Sequence, residues 1–521
     1  MNKLLTLLLG VFLFSSCASV EKYNKQISSL HSVASIHEDI DESYKILQRL
    51  HPDLYWFTPK DSLDFAFSQL KESIDKPLSS RDFYKQLAPV IAKIKQGHTS
   101  VSPPYIKQTR KEKKAKGKRS SPFKRVRFKG IVGKVYIEKT FKKKDSLLLV
   151  GSEVLSVNGE STKSLLKSYD NLVSGDGYNT TFLPKIKSKY FGVYYLKSHG
   201  ERDSIKLDLK YKDSLYSHYL VESFSKIKDT TQKKAKPKRL GKRALKQEKK
   251  KKKAKKKWNK MVGFNKYTKE QTRIFKFINQ DSINVAYIKI RRFKTGDPEA
   301  FYEDAFKKID SAKVQHLIID LRDNLGGSLA QVADVYSYLT DKDYVLLEDS
   351  EMTSRWSYMY PVMHSKSFLF KSLGILFSPI YTPYIQALKV KSRNGKHFFR
   401  NKYAKEQEFK ENNYKGKLYV IINGTSYSAS STLSTHLKAT KRATFVGEET
   451  GGTYNATVAG MFVYKDLPNT KVSMRFGVMR IKTPYTGKPD GYGIKPDVYI
   501  PTTTLEKDEQ LEWILKDING E

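Results

Sequence analysis

Cysteine is almost absent from this 521-residue chain: Cys17 is the only one. A single thiol cannot form an intrachain disulfide, and it offers no framework for a thiolate metal site. Histidine is also scarce, with ten residues and no HExxH pair, so no zinc site is expected and no cofactor is called for. Long apolar runs are missing as well. Leu4–Phe14 is too short to span a bilayer stably, and the apolar stretch 367–388 is broken by Lys371, Pro379 and Pro383. That stretch fits a lid or an oligomer contact better than a membrane helix.

Acidic residues are outnumbered, 54 against 96 Lys and Arg, which gives a net charge of +42. The excess is concentrated. Lys107–Lys129 holds twelve cations against one acid, and Lys226–Lys260 holds nineteen against two, so the two runs carry +28 of the +42. Such segments cannot bury a core and are expected to be disordered or singly helical. They lack interleaved aromatics, which argues against nucleic acid as a partner. Contact with anionic lipid or polysaccharide remains open, as does a plain solvated linker.

Residues 1–17 read as a secretory signal, with Lys3 at the start, an apolar centre, and Ser15-Ser16-Cys17 before cleavage. A cysteine at that place resembles the bacterial lipoprotein site, which implies lipidation of Cys17 and an envelope protein, anchored in the outer membrane and facing the periplasm. Phe14 stands where Leu is more usual, and an ordinary signal peptide is the alternative.

The length allows two or three domains. Residues 18–105 are helical in pattern. FYKQLAPVIAKIKQG puts Phe83, Leu87, Val90, Ile91 and Ile94 on one stripe, with Gly97 as the expected C-terminal cap. A basic loop is expected over 106–129, and residues 130–225 are strand-rich. There, LLLVGSEVLSVNGEST resembles the signature of a PDZ-like domain, a module that binds extended peptide ends by adding a strand to a sheet edge. A Lys-rich disordered insertion is expected over 226–265, a catalytic domain over 270–505 and a tail over 506–521.

Two strand-turn-helix signals fall in the last large segment: HLIIDLRDNLGGSLAQVADVYSYL (316–339) and KLYVIINGTSYSASSTLSTHL (417–437). In an open α/β layer such turns gather at the carboxyl ends of the strands, where ligands bind. One turn brings serines to a helix N-terminus; the other brings paired glycines whose N–H groups can approach a substrate. That pairing suits acyl transfer. Taken singly, the serines could be helix caps and the glycines an ordinary tight turn.

DLRDNLGG (320–327), NGTSYSAS (423–430), VGEETGGT (446–453) and GYGIKPDVYI (491–500), with GHTSV (97–101) upstream, together resemble the tail-specific, or C-terminal-processing, serine peptidases. The resemblance implies an α/β fold: a crotonase/ClpP-like αβ catalytic core with a PDZ-like β domain and an N-terminal helical segment. It implies a serine endopeptidase acting on peptide or protein substrates, with Ser428 as nucleophile and an oxyanion hole from Ala429 with Gly326 or Gly327. Much of the family uses a lysine base, but Thr453 occupies that place, twenty-five residues beyond Ser428. The tricorn-type branch instead implies His98 as base and Asp490 as its carboxylate, Asp standing where Glu is usual. That branch carries a serine before the histidine. Here it is Gly97, and Thr99 or Ser100 is the substitute to be tested. His436, eight residues past Ser428 and roughly 12 Å along the helix, is too far to serve. A catalytically inactive peptide- or ligand-binding protein on the same scaffold is the second reading.

Overall fold

HLIID forms the strand His316–Asp320 in the middle of a six-stranded sheet. The computed structural model describes residues 19–141, 148–225, 242–280, 283–363, 378–379 and 382–521. Cys17 and the signal segment lie outside the described residues, as do 226–241 and most of the 367–388 stretch. No helix among the described residues is long and apolar enough to cross a membrane.

In the central sheet, Arg273–Gln280 pairs antiparallel with Ile283–Ile290. Four parallel strands follow: His316–Asp320, Lys417–Ile422, Thr444–Gly447 and Val498–Tyr499. Alternate side chains go to opposite faces, as the two-residue period requires. Leu317, Ile319, Val420 and Ile422 enter the main core, while Ile318, Tyr419, Ile421 and Val446 meet Ile514 on the other face. A parallel sheet needs cover on both sides, and here the second cover is the helix Glu509–Asn519. Residues 506–521 are therefore not a tail but end in a packed helix, whose apolar stripe belongs to the sheet.

The PDZ-like unit is built on a sheet that starts at Val126–Ile131, earlier than the expected boundary at 130, because Val126 and Phe128 are buried in its core. The Asn158-Gly159 turn joins Glu153–Val157 to Glu160–Ser161, with both turn residues at positive φ. The basic runs, expected to be disordered or singly helical, each contain a helix, and the disordered insertion expected over 226–265 is helical from Lys242. Arg110–Lys116 is a helix closed by a Thr109–Glu112 capping box. Lys242–Met261 is a twenty-residue helix, since straight-chain lysines lose little freedom in a helix and buried Val262 anchors its end.

The N-terminal helices Val33–Leu50, Lys60–Glu72 and Ser80–Ala92 pack into the main core. The last ends at Ala92, not at Gly97, and the turn that follows puts Lys95 at φ 56°. Beyond it the strand Ser100–Ser102 pairs with Ser473–Lys482, carrying the intervening residues to the carboxyl end of the central sheet.

Candidate active site

The loops at 320–327 and 423–428 are tied to each other by polar side chains. Asn423 Oδ1 accepts from the Asp323 N–H at 3.1 Å, and the Thr425 hydroxyl donates to Asp323 at 2.9 Å. Ser426 donates to the Leu321 carbonyl at 2.9 Å, and the Tyr427 N–H donates to the Asn324 carbonyl at 3.0 Å. Ser426 is thus a buried brace.

This bracing holds Ser428 at φ 59°, ψ −122°, immediately before the helix Ala429–Ala439. A non-glycine residue there costs on the order of 1–3 kcal/mol, a strain that clusters at functional turns. The hydroxyl of Ser428 stands 3.2 Å from His98 Nε2. Two residues 330 positions apart meet within hydrogen-bond reach, at the foot of a helix whose N-terminus favours developing negative charge.

His98 lies edge-on to Tyr427 and Phe462, with ring centroids 5.0 and 5.4 Å away. Arg475 donates to the His98 carbonyl at 3.3 Å and lies 4.0 Å over the Phe462 ring. Burial, with the Arg475 charge beside it, pushes the imidazole pKa down to about 3, so the ring is neutral at ordinary pH.

Gly326, at φ 87°, lies so close that a Cβ there would meet the Ala429 nitrogen at 2.8 Å. Its own N–H is taken by Asn324 Oδ1 at 2.9 Å. The Gly327 N–H has no partner among the described residues, and Gly327 is exposed. Of the two candidate glycines, Gly327 therefore has the available donor to stand with Ala429.

Asp490 departs from expectation. It is exposed, accepts from Trp56 Nε1 at 2.7 Å and Asn455 Nδ2 at 2.6 Å, and makes no hydrogen bond to His98. A turn beginning at Lys488-Pro489 carries it to the Trp56 side. Thr99 does not replace the missing serine either. It is buried, and its hydroxyl lies 2.9 Å from His51 Nε2. Ser100 pairs with Arg475 in the sheet. Thr453 is buried and donates to the Ala456 carbonyl, while Lys438 is paired with Asp497. His436 is buried, and its Nε2 donates to the Leu346 carbonyl at 2.8 Å.

Residues 284–500 match the model of peptidase family S41. The segment that holds Ser428 and both turns is therefore similar to the S41 peptidases, and His98 lies upstream of the match. No curated protein sequence matches it. Mature CPAF complexed with lactacystin is 13% identical, with a TM-score of 0.58 over 94% of this chain and 99% of that one. A second structure of mature CPAF gives 13%, 0.56, 94% and 98%. The photosystem II D1 C-terminal processing protease gives 14%, 0.42, 90% and 93%. The CPAF structures share the fold of this chain.

Three further residues shape the site and carry no sequence signal. Asp176 accepts from the Gly97 N–H at 2.6 Å and from Thr457 at 3.3 Å, and the Tyr427 hydroxyl lies beside it. Burial pushes its carboxyl up to about 6, against the pull of those donors. Asn324 shapes the glycine turn, donating to the Ile290 carbonyl at 2.8 Å while holding Gly326. Arg475 fixes the His98 backbone. Each acts across a long sequence separation. Among the described residues no cluster of His, Cys, Asp or Glu could hold a metal ion.

Proposed function

We propose that this protein is an S41-type serine endopeptidase of the cell envelope, cleaving exported peptides or proteins by a Ser428–His98 mechanism. The reading is carried by the 3.2 Å approach of His98 Nε2 to the hydroxyl of a serine held at φ 59°. His98 takes the hydroxyl proton as Ser428 Oγ attacks the scissile carbonyl. The proton then goes to the leaving amine, and the acyl-enzyme is released by water. Ala429 and Gly327 N–H groups receive the oxyanion. The His98 ring is oriented by its packing between Tyr427 and Phe462 and by Arg475 on its carbonyl, a role for which Asp490 is not placed.

The lipid anchor at Cys17 and an outer-membrane site facing the periplasm belong to the same proposal. The PDZ-like unit would present peptide segments to Ser428. A fluorophosphonate probe labels the wild-type protein on this reading, and Ser428→Ala abolishes labelling without loss of fold. Labelling that persists in Ser428→Ala overturns it. Metabolic labelling with a fatty-acid analogue, lost in Cys17→Ser, tests the anchor separately.

A further inference from the structure

A second concavity, away from Ser428, lies where the PDZ-like sheet, the helix Phe182–Lys189, the central sheet and the chain near Asp508 come together. Its volume is about 580 Å³, and its lining includes nine Lys or Arg against five Asp or Glu. Five of the nine cations are matched internally. Arg127 is bidentate to Glu270, Lys185 meets Glu448, Lys189 meets Asp323, and Lys289 and Arg322 share Asp320. The other four are Lys129, Arg291, Arg292 and Lys507. They make no ion pair or side-chain hydrogen bond among the described residues. Arg291 Nε is buried from water and has no acceptor.

A buried guanidinium donor without an acceptor is costly unless something fills the position. Three of the five lining acids, Glu270, Asp323 and Asp508, are already held by cations at 2.5–3.1 Å. Burial opposes the ionisation of Asp323, yet Lys189, Lys289 and Lys129 outweigh it and hold its carboxyl far below the usual range. Positive charge is therefore in excess after internal pairing. The volume suits one small molecule. The lining is mostly charged and lacks the alternating apolar pockets by which an extended peptide is read. Two arginine forks beside two lysines match an oxyanion of several charges, because planar guanidinium binds phosphate bidentately.

We infer that this interdomain cleft is a binding site for a small, multiply charged phosphate-class anion, held by Lys129, Arg291, Arg292 and Lys507. The inference does not depend on the proton transfer at Ser428. Its site is separate from the helical Lys run at 242–261, whose lysines do not line the cleft.

Calorimetric titration of the full-length protein with sodium pyrophosphate at low salt tests it, with orthophosphate and phosphatidylglycerol vesicles as further arms. Pyrophosphate should bind with one site per chain and more tightly than orthophosphate. Arg291→Gln should weaken it on the order of tenfold or more, the worth of one charge-assisted contact. Lys507→Gln, at an exposed position that leaves the fold intact, should also weaken it. Gln at Lys250, Lys251 and Lys252 should change nothing. No saturable binding of pyrophosphate, binding unchanged by both Arg291→Gln and Lys507→Gln, binding lost with the 250–252 lysines, or binding to vesicles alone would each overturn the inference.

Discussion

The N–H of Gly97 donates to the Asp176 carboxylate at 2.6 Å, and this bond fixes the turn that carries His98. Where a side chain on residue 97 would begin, the Tyr427 hydroxyl already stands: a Cβ would meet it at 2.4 Å. A serine before the histidine does not fit this protein, because Tyr427 has taken its room.

Gly97→Ser should therefore lower kcat by about a hundredfold or more, since small misplacement of a base is expensive. Removing the obstructing hydroxyl should restore much of the loss. Steady-state kinetics of Gly97→Ser alone and combined with Tyr427→Phe checks this, and an unrescued double variant contradicts it.

Three neighbouring serines should separate cleanly. Ser428→Ala removes peptidase activity. Ser426→Ala leaves the Asn423 N–H without its acceptor and the Leu321 carbonyl with the Asn324 N–H alone, and costs about 1–3 kcal/mol of stability. Ser430 is buried with a hydroxyl that lacks a partner among the described residues, so Ser430→Ala should be neutral or slightly stabilising and active. Thermal melts alongside activity distinguish the three.

Acid sensitivity should come from histidines held neutral. Burial lowers His98 to about 3 and His51 and His436 to about 4, below the unfolded value of 6.5. The unfolded chain thus binds more protons in that window. The stabilising contribution is complete above pH 6.5 and is lost as pH falls toward 4, by about 1.4 kcal/mol per pH unit for each group. His436→Gln should narrow the gap in Tm between pH 7.5 and pH 5.

For activity, the neutral His98 predicts no break in kcat/KM at pH 6.5. A break near pH 6 belongs to Asp176, whose carboxyl burial raises to about 6, and Asp176→Asn should remove it. The raised carboxyl acts on stability in the opposite sense to the histidines. Its folded state holds the proton longer, so its contribution is full below the unfolded carboxyl value and is lost as pH rises through about 6. Persistence of the kinetic break in Asp176→Asn would reassign it.

Asp490→Asn should keep kcat/KM within about twofold of wild type, since the side chain contacts no reacting group. The change should register in Trp56 fluorescence, because Trp56 Nε1 donates to Asp490. A large kinetic loss would place Asp490 in the mechanism after all.

What could be read from residues alone were the local patterns. An apolar run, a turn and a helix announced the Ser428 and glycine turns, and GHTSV announced His98. Residues whose role is set across the fold were silent. Nothing in SGDGYN marks Asp176, and nothing in the pattern of Arg475 shows it reaching the His98 carbonyl. Thr99 looked available until His51, from a different helix end, took its hydroxyl. Asp490 matched a motif by spacing, but spacing does not fix the direction in which a turn points its side chain. Charge density left the 242–261 run either disordered or singly helical, and it is a helix because lysine repels its neighbours yet remains a good helix former.

The strand Ser100–Ser102 joins the base to the sheet through only three residues, far from the matched segment 284–500. On the ribosome His98 is made first, and 330 residues separate it from Ser428. At ordinary elongation rates that is a delay on the order of tens of seconds. On the proposed mechanism, a chain that stops short of Ser428 has no nucleophile and cannot cleave, and the pair forms only once that short edge has docked.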